Sequence, residues 1–515
     1  MSNYSTPATS VVFIDLATFS EQEGFLYGGP NARTWFVRGV QKSNWFSYVP
    51  IQLRCNGTQD FGQKNSSASI NRSGDYVLHV WFRTLIPQVV LGNATTGPQI
   101  NNDASIRWCA NLMHNIFEKV TLTHNELTVM EFDSFWLDFN TEFRLSASKA
   151  LIYNNMIGNI SSMTAPVGTY GPTLNTVTLG PSSSNILGEG RYFTCPLPFW
   201  FCEDSGVASP VAALPFNDIK VNYTFRSLDY LLILDPGHTG GRAALYSDVQ
   251  TVNISNSVGG ATTVTPSGIL PSFVNPQTFA HYAVVHNDER VKMGDAPRDM
   301  LIFQVQNVQA TPFKDVTTNS SFDLRLSHSI VAFFFAARNT SVQGEWSNYT
   351  TLPQYFISAP VTYSGGNPVV GVSQNSASQS GSNPLADTAL LYENSVRLAM
   401  GSDYYMWTQP WYMSDAGGST GYHMWSYALQ PWLYNPTAST NYSKLANVSI
   451  VHTCSSDAIN AANTVNPTWS GGSQQIQRNT GTSTVAFPQS FAHIFVAKNW
   501  NIARVANGSL GHPTL

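Results

Sequence analysis

From Ile219 to Arg226 the chain alternates without a break: Ile219, Val221, Tyr223 and Phe225 fall on one side, Lys220, Asn222, Thr224 and Arg226 on the other. Successive side chains leave opposite faces of a β-strand, so this is the pattern of an antiparallel strand buried on one face only. Ahead of it, the stretch from Pro196 (PLPFWFCEDSGVASPVAALPFND) reads as an apolar strand followed by a crossover punctuated by Pro, Gly and Ser. A chain organised by such segments folds as packed sheets.

The same reading recurs through both halves. Strands are predicted at Trp45–Leu53, Asp75–Leu85, Val120–His124, Pro198–Phe201 and Ile219–Arg226. In the second half they are predicted at Tyr282–His286, Met300–Val305, Phe322–Ser327, Ile330–Ala337, Tyr422–Leu429, Ala446–His452 and Phe491–Ala497. Ile330–Ala337 (IVAFFFAA) is apolar on both faces and therefore belongs between two layers. Helical spacing appears twice. One set is Trp108, Leu112, Met113, Ile116, Phe117 and Val120. The other is Phe132, Phe135, Trp136, Phe139 and Phe143, with Asp133, Asp138, Asn140 and Glu142 opposite. Such stripes predict short helices laid over a sheet, with the aromatics as core. Asp235–Gln277, Ser364–Pro384 and Ser455–Ser483 are rich in Gly, Ser, Thr and Asn and read as long surface loops.

Composition narrows the function classes. Only 11% of the 515 residues are charged, Lys+Arg 26 against Asp+Glu 31, for a net charge of −5. Soluble proteins carry roughly 25%. With 43% hydrophobic and 12% aromatic residues, the surface must be covered by other copies or kept soluble by Asn, Ser and Thr. No Lys/Arg run offers the basic field that nucleic acid requires. The five cysteines (Cys55, Cys109, Cys195, Cys202, Cys454) match neither a zinc ribbon nor a redox pair and read as free buried thiols in a reducing compartment. The N-terminal MSNYSTPATSVVFIDL has no basic start and no continuous apolar core, and the longest apolar run is far below the ~20 residues that span a bilayer. The expectation is a soluble chain made in the cytosol. On this reading the sequons at Asn56, Asn159, Asn222, Asn348 and Asn441 follow from an Asn/Ser/Thr-rich composition.

Chemistry-bearing patterns are few. Gly417-Gly418-Ser419-Thr420-Gly421 matches G-x-S-x-G, but it runs from a turn into a predicted strand, where a nucleophile elbow needs a strand entering and a helix leaving. His114, His124, His281 and His286 show no ligand spacing, and Glu203-Asp204 and Asp288-Glu289 read as solvated loop charges. Trp407, Trp411, Tyr412, Trp425 and Trp432 suit a sandwich core or a subunit interface; a sugar-stacking platform is the rival reading, and with almost no Lys or Arg beside them base stacking is disfavoured. The absence of a catalytic device points to a structural role.

An ordered set of blocks then carries a family resemblance. They include FIDLATFSEQEGFLYGGPNARTWFVR from Phe13, NRSGDYVLHVWFRTLIP from Asn71, IRWCANLMHNIFEKVTLTHNEL from Ile106, YNNMIGN from Tyr153 and the Pro196–Phe225 segment. They continue with LRLSHSIVAFFFAARNTS from Leu324, SNYTT from Ser347, LLYENSVRLAMGSDYY from Leu390, TGYHMWSYAL from Thr420 and ARVANGSLGHPTL from Ala503. The chain resembles the major capsid proteins of iridovirus-like nucleocytoplasmic large DNA viruses over nearly its whole length. It departs in the three long loops and in the terminal GHPTL, where relatives more often carry an aromatic after the Gly and Val before the last Leu.

The resemblance implies an all-β double jelly roll, two eight-stranded antiparallel β-sandwiches in tandem with a few short helices in the connecting loops. The expected division is an N-terminal arm at 1–45, a first jelly roll at 46–235, a linker at 236–277 and a second jelly roll at 278–515. It further implies a homotrimeric, pseudo-hexagonal capsomer that tiles the icosahedral outer shell of the virion, assembled in the host cytoplasm. Catalytic, cofactor-binding and metal residues are none in such a protein. The expected partners are other copies of the chain, minor capsid, penton and cement proteins, the inner membrane layer indirectly, and a host-cell glycan or receptor through outer loops, with no direct nucleic acid. The alternatives are a jelly-roll carbohydrate-binding attachment protein, which needs an exposed aromatic platform, and a hydrolase built on Ser419.

Overall fold

The alternating segment forms a strand at Ile219–Phe225, its odd positions buried and its even positions half-buried. It lies in a sheet between the strands Ser66–Ser69 and Phe117–His124. The computed structural model describes residues 9–92, 98–102, 104–170, 186–236, 241–256, 262–295, 297–351, 381–463, 476–480 and 483–511. Residues 1–45 form one unit and 46–515 another. The first contains helices Thr9–Ala17 and Glu21–Leu26, with Phe25, Trp35 and Phe36 exposed.

Within 46–515 two sandwiches repeat one strand order. The first uses eight strands: Phe46–Gln52, Ser66–Ser69, Tyr76–Leu85, Phe117–His124, Leu127–Phe132, Tyr192–Leu197, Ile219–Phe225 and Val274–Val285. Numbered along the chain, one sheet reads first–eighth–third–sixth and the facing sheet second–seventh–fourth–fifth. A three-residue continuation of the first strand, Arg54–Asn56, bends over to edge the facing sheet. The second sandwich uses Arg298–Pro312, Ser320–Asp323, Ser329–Asn339, Leu385–Tyr392, Ser395–Gly401, His423–Ser426, Val448–Cys454 and Phe491–Ala506 in the same order. This is a double jelly roll.

The repeated order also corrects the expected division. Val274–Val285 pairs with Phe46–Gln52 and with Tyr76–Leu85, so the boundary expected at residue 278 falls inside the last strand of the first roll. The expected linker 236–277 is not simply a loop either: Val249–Asn256 and Thr262–Pro266 form a hairpin. The hairpin joins a six-stranded sheet with Val89–Gly92, Ser105–Trp108, Val167–Tyr170 and Leu232–Asp235. Its Val, Ile and Thr residues carry strand propensity that the surrounding Gly and Ser obscured. These strands come from the third–fourth, fifth–sixth and seventh–eighth connections of the first roll, and their pairing places those connections at one end of the sandwich.

Two local readings also change. Pro198–Phe201 was expected as a strand; the strand is Tyr192–Leu197, and Trp200–Glu203 is a turn of helix. Of the first helical stripe only Leu112–Asn115 is helical, with Phe117 and Val120 in the following strand. The second stripe forms the helix Ser134–Arg144, whose first turn is capped by the Asp133 carboxylate accepting from the Trp136 amide. Ser364–Pro384 lies largely outside the described residues. Ser455–Ser483 does so in part, with a helix at Ser456–Ala462 and a hairpin of Ile476–Thr480 with Ser483–Phe487.

Candidate functional site: the seam between the sandwiches

The run that the sequence placed between two layers sits between them. In Ser329–Asn339, Phe333, Phe335 and Ala337 face the partner sheet of their own sandwich, and Ala332, Phe334 and Ala336 face the first sandwich. Phe334 lies against Trp136, Phe139 and Phe143 of the capped helix, at ring-centroid distances of 5.8, 6.0 and 5.5 Å, and against Trp432. The aromatic stripe read as core is therefore the wedge joining the two rolls.

Buried charges close the seam around it. Arg107, on Ser105–Trp108, donates to Glu345 at 2.5 Å with both side chains out of solvent. Glu345 also accepts from Asn348 at 3.0 Å. Trp346 lies between the guanidinium of Arg226 at 3.8 Å and that of Arg338 at 4.1 Å, and its indole N–H donates to the Tyr230 carbonyl. Burial pushes both guanidinium pKa values down to about 10. Glu203, expected as a solvated loop charge, is buried instead: it accepts from Lys498 at 3.2 Å and pairs with Arg144 at 3.6 Å. Burial holds the Lys498 ammonium down to about 8, against the pull of Glu203. Glu345 also leans on the Asn348 amide and Lys498 on the rings of Phe303 and Trp432, as buried ions must to offset lost hydration.

A second network lies beneath the seam. Asp138 can only accept, so His114 donates from Nδ1 to Asp138 at 2.8 Å and accepts at Nε2 from the Tyr153 hydroxyl at 2.7 Å. Tyr349, from the second roll, donates to the other Asp138 oxygen at 3.0 Å. Burial raises the Tyr153 and Tyr349 hydroxyls well above the ordinary range, so both remain donors. Sequence spacing did not reveal this set, because His114 and Asp138 belong to separate short elements.

Ser419 occupies neither arrangement. Its backbone amide donates to Glu142 at 3.0 Å, beside a cavity of about 680 Å³ that Asp138 and Tyr422 also line. The surrounding glycines answer to packing. Gly421 has φ +88°, and a Cβ there would stand 2.0 Å from the Tyr349 carbonyl oxygen. His423, the histidine next along the chain, is buried and bonded to Asn383. A second cavity, of about 670 Å³, lies over the outer face of Tyr76–Leu85, lined by His79, Trp81, Arg144, Lys149 and His281. Among the described residues no group of three His, Cys, Asp or Glu has the geometry of a metal site.

The other singled-out residues divide. Trp425 and Trp432 pack into the core, whereas Trp407, Trp411 and Tyr412 stand in solvent, Trp411 81% exposed. All five cysteines are free. Burial pushes Cys109 and Cys202 up to about 12 and Cys454 to about 11. Asn348 is buried and bonded to Glu345 and Thr350, which leaves no room for a glycan in the folded chain. Among the described residues no helix is long and apolar enough to cross a membrane.

Two jelly rolls locked by a buried seam define a structural building block. Residues 34–267 match the family described as major capsid protein N-terminus, and 289–511 match that described as large eukaryotic DNA virus major capsid protein. The chain is 41% identical over 518 residues to the major capsid protein of Invertebrate iridescent virus 3, covering 98% of each. It is 36% identical to that of Lymphocystis disease virus 1, covering 100% of each. Among solved structures the PBCV-1 VP54 chain superposes with a TM-score of 0.62 at 18% identity, covering 94% of this chain and 100% of that one. The chain belongs to the major capsid protein family of large eukaryotic DNA viruses.

Proposed function

We propose that three copies of this chain close into a pseudo-hexagonal capsomer and that capsomers tile an icosahedral outer shell in the virion, assembled in the host cytoplasm. The observation that carries the reading is the repeated strand order: one chain presents two equivalent sandwiches, so three chains present six. The first roll then runs to Val285 and the second from Arg298, with helix Asn287–Asp295 as the connection. Contacts within a trimer bury on the order of 2,000 Å² per pair of chains. Contacts between capsomers are individually weak, ~4–8 kcal/mol, so that errors dissociate and anneal. Residues 1–45 serve as an arm at the inner base, towards minor capsid proteins or the membrane-facing layer. Penton and cement proteins join neighbouring capsomers, and the outer loops meet a host glycan or receptor.

Light scattering on the eluting recombinant chain tests this reading: a species near three times 56.5 kDa supports it, and a monomer overturns it. Trp411 is exposed, and on this reading it meets a neighbouring copy. Trp411→Ser is expected to leave stability within about 0.5 kcal/mol while raising the trimer dissociation constant at least tenfold; unchanged association would remove Trp411 from the interface. The same aromatics favour the carbohydrate-binding alternative, which a blank glycan array discards. The chain acts as a structural protein and not as an enzyme. Ser419→Ala is accordingly expected to leave folding and assembly intact, and a hydrolase activity lost with that change would contradict the reading.

A further inference from the structure

Three histidines distant in sequence meet between the two sheets of the second sandwich. His452, on Val448–Cys454, crosses from one sheet to the other: its Nε2 lies 3.1 Å from Nδ1 of His493, on Phe491–Ala506. Its Nδ1 lies 2.9 Å from the Thr388 hydroxyl. His423, on His423–Ser426, stacks on Phe335 at 4.9 Å, and His452 meets the same ring at 5.3 Å. His493 stacks on Phe322 at 4.3 Å. All three side chains are out of solvent, and His493 Nε2 has no hydrogen-bond partner.

We infer that this histidine layer is an acid-responsive latch, holding the sheets of the second sandwich together at neutral pH and releasing them in an acidic compartment. The His452–His493 bond uses a single proton between two ring nitrogens. A second proton there sets N–H against N–H, and a proton on the outer Nε2 of His493 has no acceptor. The other groups around the layer offer no relief. Cys454 and Tyr405 stay neutral, burial having pushed the former's pKa to about 11 and raised the latter's further. Asp323 and Asp387 alternate outward on their strands, as Arg397 does on the neighbouring one. Arg338 and Lys498 occupy the opposite faces of theirs, engaged with Trp346 and Glu203. Lys314 and Asp315 lie in the loop beyond Arg298–Pro312, and Asp457 on helix Ser456–Ala462. No carboxylate reaches the rings to welcome a proton.

Burial holds His423 down to about 4 and His493 to about 3, with His452 also well below the ordinary histidine value. The closed form therefore binds fewer protons than an opened one. The stabilisation is complete above pH ~6.5 and is lost as pH falls from there towards the depressed values. Each ring raises the opened-to-closed ratio about tenfold between pH 7.5 and 5.5, and the three together roughly a thousandfold.

Backbone hydrogen exchange of the full-length protein, corrected for the intrinsic pH dependence of exchange, reads this directly. Protection of Val448–Cys454 and of residues 491–497 should fall roughly a thousandfold between those pH values, with Ile219–Phe225, which touches none of the rings, losing far less. His493→Asn, and His452→Gln in combination with it, should each remove about tenfold of that loss. A change below threefold in the wild type, or variants folded at pH 7.5 that keep the full pH dependence, overturns the inference. Should the variants not fold, imidazole C2–H exchange in the wild-type protein decides it: the three rings should titrate only as the sheets open, with midpoints below the ordinary histidine value. A midpoint near 6.5 at any of the three would equally overturn it.

Discussion

Glu345→Ala is expected to lower the unfolding free energy by about 3–5 kcal/mol, because it leaves the Arg107 guanidinium buried without its carboxylate. That cost exceeds anything an exposed ion pair contributes, such as Arg504 with Asp299 on the surface, where water screens both charges. The comparison that isolates charge from packing is the double replacement Arg107→Met with Glu345→Met. Removing both ions together should recover most of the loss, since neither desolvated group then remains unpaired. Chemical denaturation of the three variants provides the measurement. A single mutant within about 1 kcal/mol of wild type would show that water reaches Arg107. A double mutant as damaged as the single one would show that the pair's hydrogen bonds to its surroundings matter more than its charge.

Phe334→Ala should cost a similar ~3–5 kcal/mol through the cavity it opens, and its character should differ from that of Phe333→Ala. Phe334 touches Trp136, Phe139 and Phe143 across the seam, whereas Phe333 touches Phe495 and Tyr427 inside the second sandwich. Loss of Phe334 is therefore expected to uncouple the rolls, exposing the connecting helix Asn287–Asp295 to limited proteolysis while each sandwich keeps its own protection. Loss of Phe333 should open the second sandwich and leave the first intact. Identical cleavage patterns for the two variants would contradict a seam built on one face of this strand. The assignment of adjacent residues to two different cores follows from the period of the strand alone.

That strand shows why much of the fold was legible. Side-chain alternation is a property of a few adjacent residues, so Ile219–Phe225 and Ile330–Ala337 declared their burial before any partner was known. The same holds for the stripe Phe132–Phe143, whose 3.6-residue period survives as helix Ser134–Arg144. Legibility failed where local signals conflicted. Trp200–Glu203 forms a helical turn just after the strand Tyr192–Leu197 ends, although its apolar residues suit a strand. Strands in the 249–266 hairpin were masked by Gly and Ser on either side. The family resemblance, by contrast, rested on ordered blocks of residues and needed no geometry.

Periodicity could settle which residues face inward, since backbone geometry repeats every two or 3.6 residues wherever the strand or helix later docks. It could not settle what they would meet. Arg107 and Glu345 are 238 residues apart, and Glu203 looked like a loop charge until Lys498 came down beside it from a distance of 295. His423, His452 and His493 belong to three strands whose registers must all be set before the rings touch. Hydration, pairing and proton affinity depend on neighbours in space, so the electrostatic character of seam and latch came into being only when the sheets packed.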